Sequence, residues 1–334
     1  MKHTTRFMVP EFLVDNKTRL NYTPDVLGDG FEQLVLHFED DYEGRVVATL
    51  VRKKSEAPTT KAILYIHGFN DYFFQREMAN RFNQQNYNFY ALDLRKYGRS
   101  YLNHQKLNNV RSIEEYDAEI NEALQIIQLE KNTEVILMGH STGGLIVTNY
   151  AGRHLNSHLF NGVLCNSPFY EFNYSFISRK IGLPILSYLG KHNPNLEIPG
   201  GLSPLYGYSI HQDKYGEWDY SLTWKPHKIA SVNLGFIHAI HQAQKNVQHQ
   251  LSIDVPMLVL YSDKSVGGKN WSEQFMEGDS VLNVSHIEKY AHQIKGKITL
   301  NQIENGMHDL VLSQKPVRET VYNKIFEWMD HHFK

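Results

Sequence analysis

The chain has 334 residues, enough to bury a large core, and one large domain with an insertion is the simplest expectation. Its 34 basic and 36 acidic residues nearly balance, which excludes the strong overall field that gathers nucleic acid or an anionic membrane. The single cysteine, Cys165, excludes an internal disulfide and a thiolate metal site.

The first residues, "MKHTTRFMVPEFLVDNKTRL", contain charges and a proline where a secretory signal needs an unbroken apolar stretch. No later window is apolar enough to span a bilayer. We therefore expect a cytoplasmic protein with no integral membrane segment and no nucleic-acid partner.

Next along the chain, "EQLVLHFEDDYEGRVVATLVRK" predicts two strands around a turn, an antiparallel hairpin. Short runs rich in apolar or β-branched residues follow, and they are typical of parallel strands that are covered on both faces. They are "AILYIHGF", "NFYALDL", "EVILMGHS", "GVLCNSPF", "MLVLYSD" and "KITLNQIENG".

Helical patterns separate several of these strands. In "SIEEYDAEINEALQIIQLEK", apolar residues recur every three or four positions, and Ser112 with Glu115 forms a capping-box signature. A second amphipathic helix, with Val317 and Trp328 on its apolar face, closes the chain. Alternating strands and helices predict a mostly parallel α/β sheet with helices on both faces.

Residues 169–250 interrupt this alternation, because they contain no strand pattern of the same kind. We predict that they form an inserted, mainly helical cap, and that residues 1–168 and 251–334 form the core. The histidines His238 and His241 lack a nearby third metal ligand, so we expect a solvated cap face there and no metal site.

The segment "VILMGHSTGGLIVTNY" places Ser141 in a turn between a buried-type strand and a helix. Such a turn holds a serine clear of the backbone in a strained conformation, and it requires small residues two positions before and after. Gly139 and Gly143 meet that requirement. Ser141 is therefore a candidate nucleophile, and the backbone N–H of Thr142, at the helix start, is a candidate oxyanion donor.

The segment "YIHGFNDYF" begins a loop after another strand, where a second backbone donor would complete an oxyanion hole. Phe69 is the candidate for that donor. We interpret His67 as a buried histidine bonded to loop carbonyls.

Together, "HGFNDYF", "LDLRKYGRS", "GHSTGG" and "ENGMHD" resemble, in order, the motifs of the lysophospholipase, monoacylglycerol lipase and serine-aminopeptidase-like group of α/β-hydrolases. The resemblance spans nearly the whole chain outside the cap. It implies an α/β-hydrolase fold, a lid where we place the cap, and a catalytic serine, acid and histidine in that chain order.

The resemblance also implies a histidine on the loop after the last strand, where His308 is the only one. Two aspartates compete for the acid. Asp263 directly follows the strand "VPMLVLYS", whereas Asp279, with Val281 two residues later and a predicted helix beyond, matches the family pattern. We favour Asp279 and keep Asp263 as the alternative acid, which otherwise caps a loop.

These residues predict a serine hydrolase that cleaves carboxylic esters without a metal or other cofactor. The expected partner is a small ester, with an apolar acyl or aryl group if the cap aromatics line a pocket instead of forming the cap's own core. An aminopeptidase is one alternative, because Glu171, Glu197, Asp213, Glu217 and Asp219 could supply acidic groups for a free amine. A non-catalytic ligand-binding protein on the same fold is another.

Overall fold

A computed structural model describes residues 20–201, 203–229 and 231–333. The strands within these residues are β1 Thr23–Pro24, β2 Glu32–Asp41, β3 Gly44–Lys53, β4 Lys61–Ile66, β5 Asn88–Asp93, β6 Glu134–His140, β7 Gly162–Asn166, β8 Glu197–Pro199, β9 Ser231–Asn233, β10 Met257–Ser262 and β11 Ile298–Ile303. The helices are α1 Arg76–Gln84, α2 Asp117–Leu129, α3 Thr142–Arg153, α4 Leu183–His192, α5 Leu205–Ile210, α6 Leu234–Gln248, α7 Val284–Ala291 and α8 Lys315–His332.

Nine strands form the central sheet in the order β1-β2-β3-β5-β4-β6-β7-β10-β11. The six strands from β5 to β11 in this order are parallel, and the hairpin β2-β3 is antiparallel, as is β3 to β5. The predicted hairpin and the mostly parallel sheet are therefore confirmed.

Alternate residues of each parallel strand enter cores on opposite faces of the sheet. Leu64 and Ile66 of β4 pack on one face with α2 and α3, whereas Ile63 and Tyr65 pack on the other with α1 and α8. Because both faces are covered, these strands are apolar nearly throughout, and this is why continuous apolar runs identify them in the sequence.

Helix α2 begins as its sequence predicts. A 3₁₀ turn at Ile113–Tyr116 precedes it, and Ser112 and Glu115 form the capping box across that turn. None of the helices in the described part of the chain combines the length and apolar character needed to cross a bilayer.

The described residues between β7 and β10 add no strand to the central sheet. They contain α4, α5 and α6 and, in addition to these helices, a small antiparallel ribbon of β8 and β9. Helix α6 packs on α3, where the Asn149 side chain donates a hydrogen bond to the Ala243 carbonyl, so this helix shares the core beside the sheet.

The sheet order creates a crevice where the candidate site lies. From β4 the chain moves to β5 on one side, and it then returns to β6 on the other side of β4. Loops after β4 and β6 therefore diverge at the carboxyl edge of the sheet, and such a switch point is where open α/β sheets bind ligands. Phe69 follows β4, and Ser141 follows β6.

Glycines allow the turn from β6 into α3 to fit against β4. A Cβ atom on Gly139 would collide with the Gly143 carbonyl, and one on Gly143 would collide with the carbonyl oxygens of Ile66 and His67. The strand, the turn and the helix thus approach each other more closely than any larger residue permits.

We expect Gly143→Ala to lower the free energy of unfolding by about 1–3 kcal/mol, because the added methyl group must displace the backbone after β4. Urea denaturation measures this. Gly182→Ala is the matched control, since a Cβ there meets open space and the backbone is helical, so it should leave stability unchanged or raise it by up to about 1 kcal/mol. Equal stability of Gly143→Ala and the parent would contradict the packing argument.

Candidate active site

Ser141 occupies the turn between β6 and α3 in a left-handed conformation, with φ 53° and ψ −114°. Its backbone N–H donates to the Asn166 carbonyl at 2.9 Å, and its own carbonyl accepts from Leu145 and Phe169. These bonds satisfy the backbone N–H and carbonyl of Ser141, and its side chain extends away from the turn. The residue is 8 % exposed.

His308 lies in the loop after β11 and faces Ser141. The distance from His308 Nε2 to Ser141 Oγ is 3.0 Å, a hydrogen-bond distance. The imidazole is buried between two other rings, with centroids 4.8 Å away at His140 and 5.5 Å away at Tyr206. The ring is therefore fixed by packing as well as by hydrogen bonds.

Asp279 completes the arrangement on the other side of the imidazole. Its Oδ2 lies 2.9 Å from His308 Nδ1, and its Oδ1 accepts the backbone N–H groups of Val281 and Leu282 at 2.8 Å each. Both carboxylate oxygens thus have donors, which offsets the cost of burying the charge completely.

The position of Asp279 depends on a loop that leaves the sheet and returns. Residues 264–266 lie just beyond Asp263 at the end of β10, and Asp279 pairs with this stretch through its N–H to the Lys264 carbonyl and through its carbonyl to the Val266 N–H. The residues between them project outward, so Asp279 lies beside the end of β10 although it is seventeen residues beyond Ser262.

Asp263, the alternative acid, contacts a different group. Its Oδ1 accepts the backbone N–H of Asn305 at 2.8 Å, and its own N–H donates to the Ile303 carbonyl. It therefore caps the start of the loop that carries His308 and does not bond to the imidazole.

Phe69 and Thr142 lie beside the serine. A Cβ atom on Gly68 would lie 3.2 Å from the Ser141 Cβ, so the backbone entering Phe69 is in contact with the nucleophile candidate. Thr142 is the first residue of α3, where the N–H has no partner within the helix. Both residues line the cavity that contains Ser141 and His308.

That cavity has a volume of about 330 Å³ and a largely apolar end. Phe169 and Phe172 meet edge to face there, and Phe69 stacks on Phe236 at 4.8 Å. The predicted cap aromatics divide between two roles, because some line the cavity and others do not. Phe169, Phe172, Tyr174, Tyr206 and Tyr220 line it, whereas Tyr170 is buried against Thr148 and Phe176 is exposed.

The other end of the cavity contains a buried ion pair that the sequence patterns did not reveal. Lys225 Nζ lies 2.7 Å from Asp71 Oδ1, and the two residues are 8 % and 1 % exposed. Burial alone would raise the pKa of the Asp71 carboxyl, but the Lys225 ammonium, together with His140 and His67, more than offsets burial, and the pKa is lowered. Asp71 is therefore ionised. The only sequence signal for this ion pair was the position of Asp71 in the motif "HGFNDYF".

A second polar cluster holds the loop that carries His308. The Asp309 carboxylate accepts bonds from the amides of Asn166, at 2.7 Å, and Gln75, at 3.2 Å. Burial lowers the pKa of His140, and the Asp309 carboxylate, 4.0 Å from its ring, opposes that shift. The Asp309 carboxylate thereby anchors this loop, and no pattern in the sequence indicated these contacts.

Two of the other histidines considered in the sequence, His67 and His241, lie in buried surroundings. His67 bonds the Gly68 carbonyl and the Leu94 N–H, as expected. The expected solvated face at His238 and His241 is wrong for His241, which is buried where α6 packs on the core and whose pKa burial lowers to about 4. Within the described ranges, no three His, Cys, Asp or Glu residues are grouped so as to hold a metal ion.

The chain matches a known protein family over most of its length. Residues 57–313 match the family described as serine aminopeptidase, S33. No curated protein sequence matches the chain.

Solved structures show the same fold at low sequence identity. A monoacylglycerol lipase of Paleococcus ferrophilus is 20% identical, with a TM-score of 0.65 over 85% of this chain and 99% of that one. A soluble variant of monoglyceride lipase from Saccharomyces cerevisiae, solved with a substrate analog, is 18% identical, with a TM-score of 0.63 over 89% and 96%. Est1E from Butyrivibrio proteoclasticus, solved with ferulic acid, is 14% identical, with a TM-score of 0.57 over 89% and 98%.

The family match covers most of the chain, and the sheet order agrees with the fold of these neighbours. The chain therefore belongs to the serine aminopeptidase S33 family of hydrolases and has the α/β-hydrolase fold.

Proposed function

We propose that the protein is a serine hydrolase of carboxylic esters, with Ser141 as nucleophile, His308 as base and Asp279 as the acid that orients it. The observation that carries the proposal is the continuous hydrogen-bonded chain from Ser141 Oγ through the imidazole to the Asp279 carboxylate. Each member is buried, so water competes little for these bonds.

In the acylation step, Ser141 Oγ attacks the ester carbonyl carbon, and its proton passes to His308 Nε2. Asp279 accepts the Nδ1–H bond, which leaves Nε2 free to receive that proton and offsets the positive charge that forms on the ring. When the carbon–oxygen bond to the leaving group breaks, the imidazolium returns the proton to that oxygen, and an alcohol departs.

The backbone N–H groups of Phe69 and Thr142 are the proposed oxyanion donors. Their dipoles are fixed before the reaction, so they stabilise the tetrahedral oxyanion without reorganising. Water then attacks the acyl-enzyme, His308 takes the water proton, and the carboxylic acid leaves with Ser141 restored. The proposal uses no metal or organic cofactor.

We further propose that residues 169–250 act as the cap that selects the substrate, with residues 1–168 and 251–334 as the core. Residues 1–19, 202, 230 and 334 of these ranges lie outside the described structure. The apolar end of the cavity, with Phe169, Phe172 and Phe236, fits an acyl chain or aryl group. The polar groups in the lining, among them Asn70 and Lys225, fit a hydroxyl-bearing leaving group, as in a monoglyceride or lysophospholipid.

An aminopeptidase fits less well, although the family carries that description. A free amine needs an available carboxylate near the nucleophile, and none of the five acidic cap residues named above lines the cavity. The carboxylate that does line it, Asp71, is already paired with Lys225.

The outer surface of the cap supports a lipid substrate. Phe176, Ile177, Ile181, Ile185 and Tyr188 are each more than half exposed, and the helical spacing of the last four places them on one face. The stretch from 172 to 196 contains basic residues but no Asp or Glu. We call these five exposed apolar side chains, which lie between residues 176 and 188, the apolar face. It adjoins the cavity through Tyr174, which lines the cavity and is itself 46% exposed.

Ester and peptide chemistry can be separated directly. We expect the parent protein to turn over carboxylic esters and to leave aminoacyl anilides uncleaved, and Ser141→Ala to remove ester turnover while its circular dichroism spectrum is unchanged. A fluorophosphonate probe should label the parent and not the variant. Cleavage of anilides alone would favour the peptidase, and a folded parent that neither labels nor hydrolyses would favour a binding protein.

The identity of the acid is tested by two matched substitutions. Asp279→Asn should lower kcat by about 10³- to 10⁴-fold, because the amide cannot hold the required tautomer of His308 or offset its charge. Asp263→Asn keeps an acceptor for the Asn305 N–H and should change kcat by less than about threefold. Steady-state kinetics on one soluble ester measures both. The reverse ranking would make Asp263 the acid.

The role of the apolar face is tested with two forms of substrate. Changing Phe176, Ile181 and Ile185 together to serine should lower turnover of a long-chain monoglyceride in vesicles by at least about 10-fold, since each side chain loses its burial in lipid. Turnover of a short, dissolved ester should change by less than about twofold.

The control changes three exposed apolar residues elsewhere, Val26, Leu129 and Leu155, to serine. This control variant should match the parent on both substrates. Equal losses on vesicles and on dissolved ester in the apolar-face variant would contradict a role at a lipid surface.

A further inference from the structure

The loop after β4 is tied to the cap by consecutive residues. Asn70 Nδ2 donates to the Pro226 carbonyl at 2.8 Å, Lys225 Nζ bonds Asp71 Oδ1 at 2.7 Å, and the Ser221 N–H donates to the Tyr72 hydroxyl at 2.7 Å. We call residues 69–72 the oxyanion loop and residues 220–226 the docking segment.

The ends of the oxyanion loop are packed, since Phe69 stacks on Phe236 and Tyr72 is buried, but the loop has few hydrogen bonds. Within the described part of the chain, the hydrogen bonds of residues 70–72 all go to the docking segment. Bonds to the core resume only at Phe73, whose N–H donates to the Asp93 carboxylate. The loop is therefore fixed at its two ends by the core and in its middle by the docking segment.

Aromatic contacts reinforce the same junction. Tyr72 meets Trp224 edge to face with centroids 5.1 Å apart, and Phe74 packs on Tyr220 at 4.8 Å. These rings exclude water from the ion pair, which strengthens it relative to a surface pair.

The backbone of the loop needs this support. Asn70 has φ 51°, a left-handed conformation that costs energy for a residue with a side chain, and it directly follows the proposed oxyanion donor Phe69. The direction of the Phe69 N–H depends on the peptide geometry on either side of it. The bonds of Asn70 and Asp71 hold that geometry from the cap side.

We propose that Asp71, Lys225 and Asn70 are positioning residues that hold the Phe69 N–H in place, so that the oxyanion hole is complete only while the docking segment is seated on the loop. This inference rests on the proposed function. It gives the docking segment a part in the chemical step, in addition to any part of the cap in choosing substrate. None of the three residues needs to touch the reacting atoms.

Lys225→Met keeps the apolar stem of the side chain and removes its charge. On a short, dissolved ester whose alcohol part carries no second hydroxyl, we expect kcat to fall by about 10- to 100-fold, with KM changed by less than about threefold, because the donor acts on the transition state. Affinity for a trifluoromethyl ketone, which forms a tetrahedral adduct, should fall in parallel with kcat/KM. Lys228→Met removes an exposed lysine three residues away and should match the parent.

A second variant avoids an unpaired buried charge. Lys225→Met leaves the Asp71 carboxylate without its partner, which also lowers stability. Asn70→Gly removes the bond to Pro226, keeps the left-handed backbone accessible and leaves no buried charge without its partner. It should lower kcat by about 3- to 10-fold with KM nearly constant.

Amide hydrogen exchange tests the coupling without relying on turnover. Exchange in residues 69–72 should be faster in Lys225→Met and Asn70→Gly than in the parent, while β4 and β6 stay protected. Unchanged exchange in the loop, or faster exchange with unchanged kcat and ketone affinity, would overturn the inference. A parent with no ester turnover would overturn the proposed function, and the exchange data would still decide the coupling.

Discussion

The left-handed turn at Ser141 is the constraint on which the site depends. It exists because β6 and α3 meet at an angle too tight for side chains at Gly139 and Gly143, and because β4 lies directly beneath. The strain is offset by the buried strands and helix that fix both ends of the turn. One consequence is that the serine hydroxyl and the start of α3 point into the same crevice, where a nucleophile and an anion-binding helix end are useful together.

The other site residues reach this crevice on longer loops, and separate contacts hold each loop in place. Asp279 is held by backbone pairing with residues 264–266, and the His308 loop is held by Asp309 and Asn166 below it. The oxyanion loop is anchored from above by the docking segment. The core thus fixes Ser141, His308 and Asp279, whereas residues outside the sheet fix the loop of the proposed oxyanion donor.

Local patterns explain how much the sequence could predict. The strands, the capping box at Ser112 and the glycines around Ser141 each follow from the geometry of a few consecutive residues, and the structure agrees with all of them. The spacing after β10 could not separate Asp263 from Asp279, because only the outward loop and its return decide which carboxylate meets His308. The pair of Asp71 and Lys225 joins residues 154 positions apart, and no periodicity predicts such a contact. The burial of His241 likewise depends on how α6 packs on the core.

The proposed mechanism requires a covalent acyl group on Ser141 during turnover. Rapid quenching of the parent protein with an activated ester, followed by intact mass and peptide mapping, detects that group. We expect a protein heavier by one acyl group, with that mass on the peptide that contains Ser141, and its decay at the rate of steady-state turnover. Turnover with no adduct under conditions that trap acyl-enzymes, or an adduct on another residue, would contradict this mechanism.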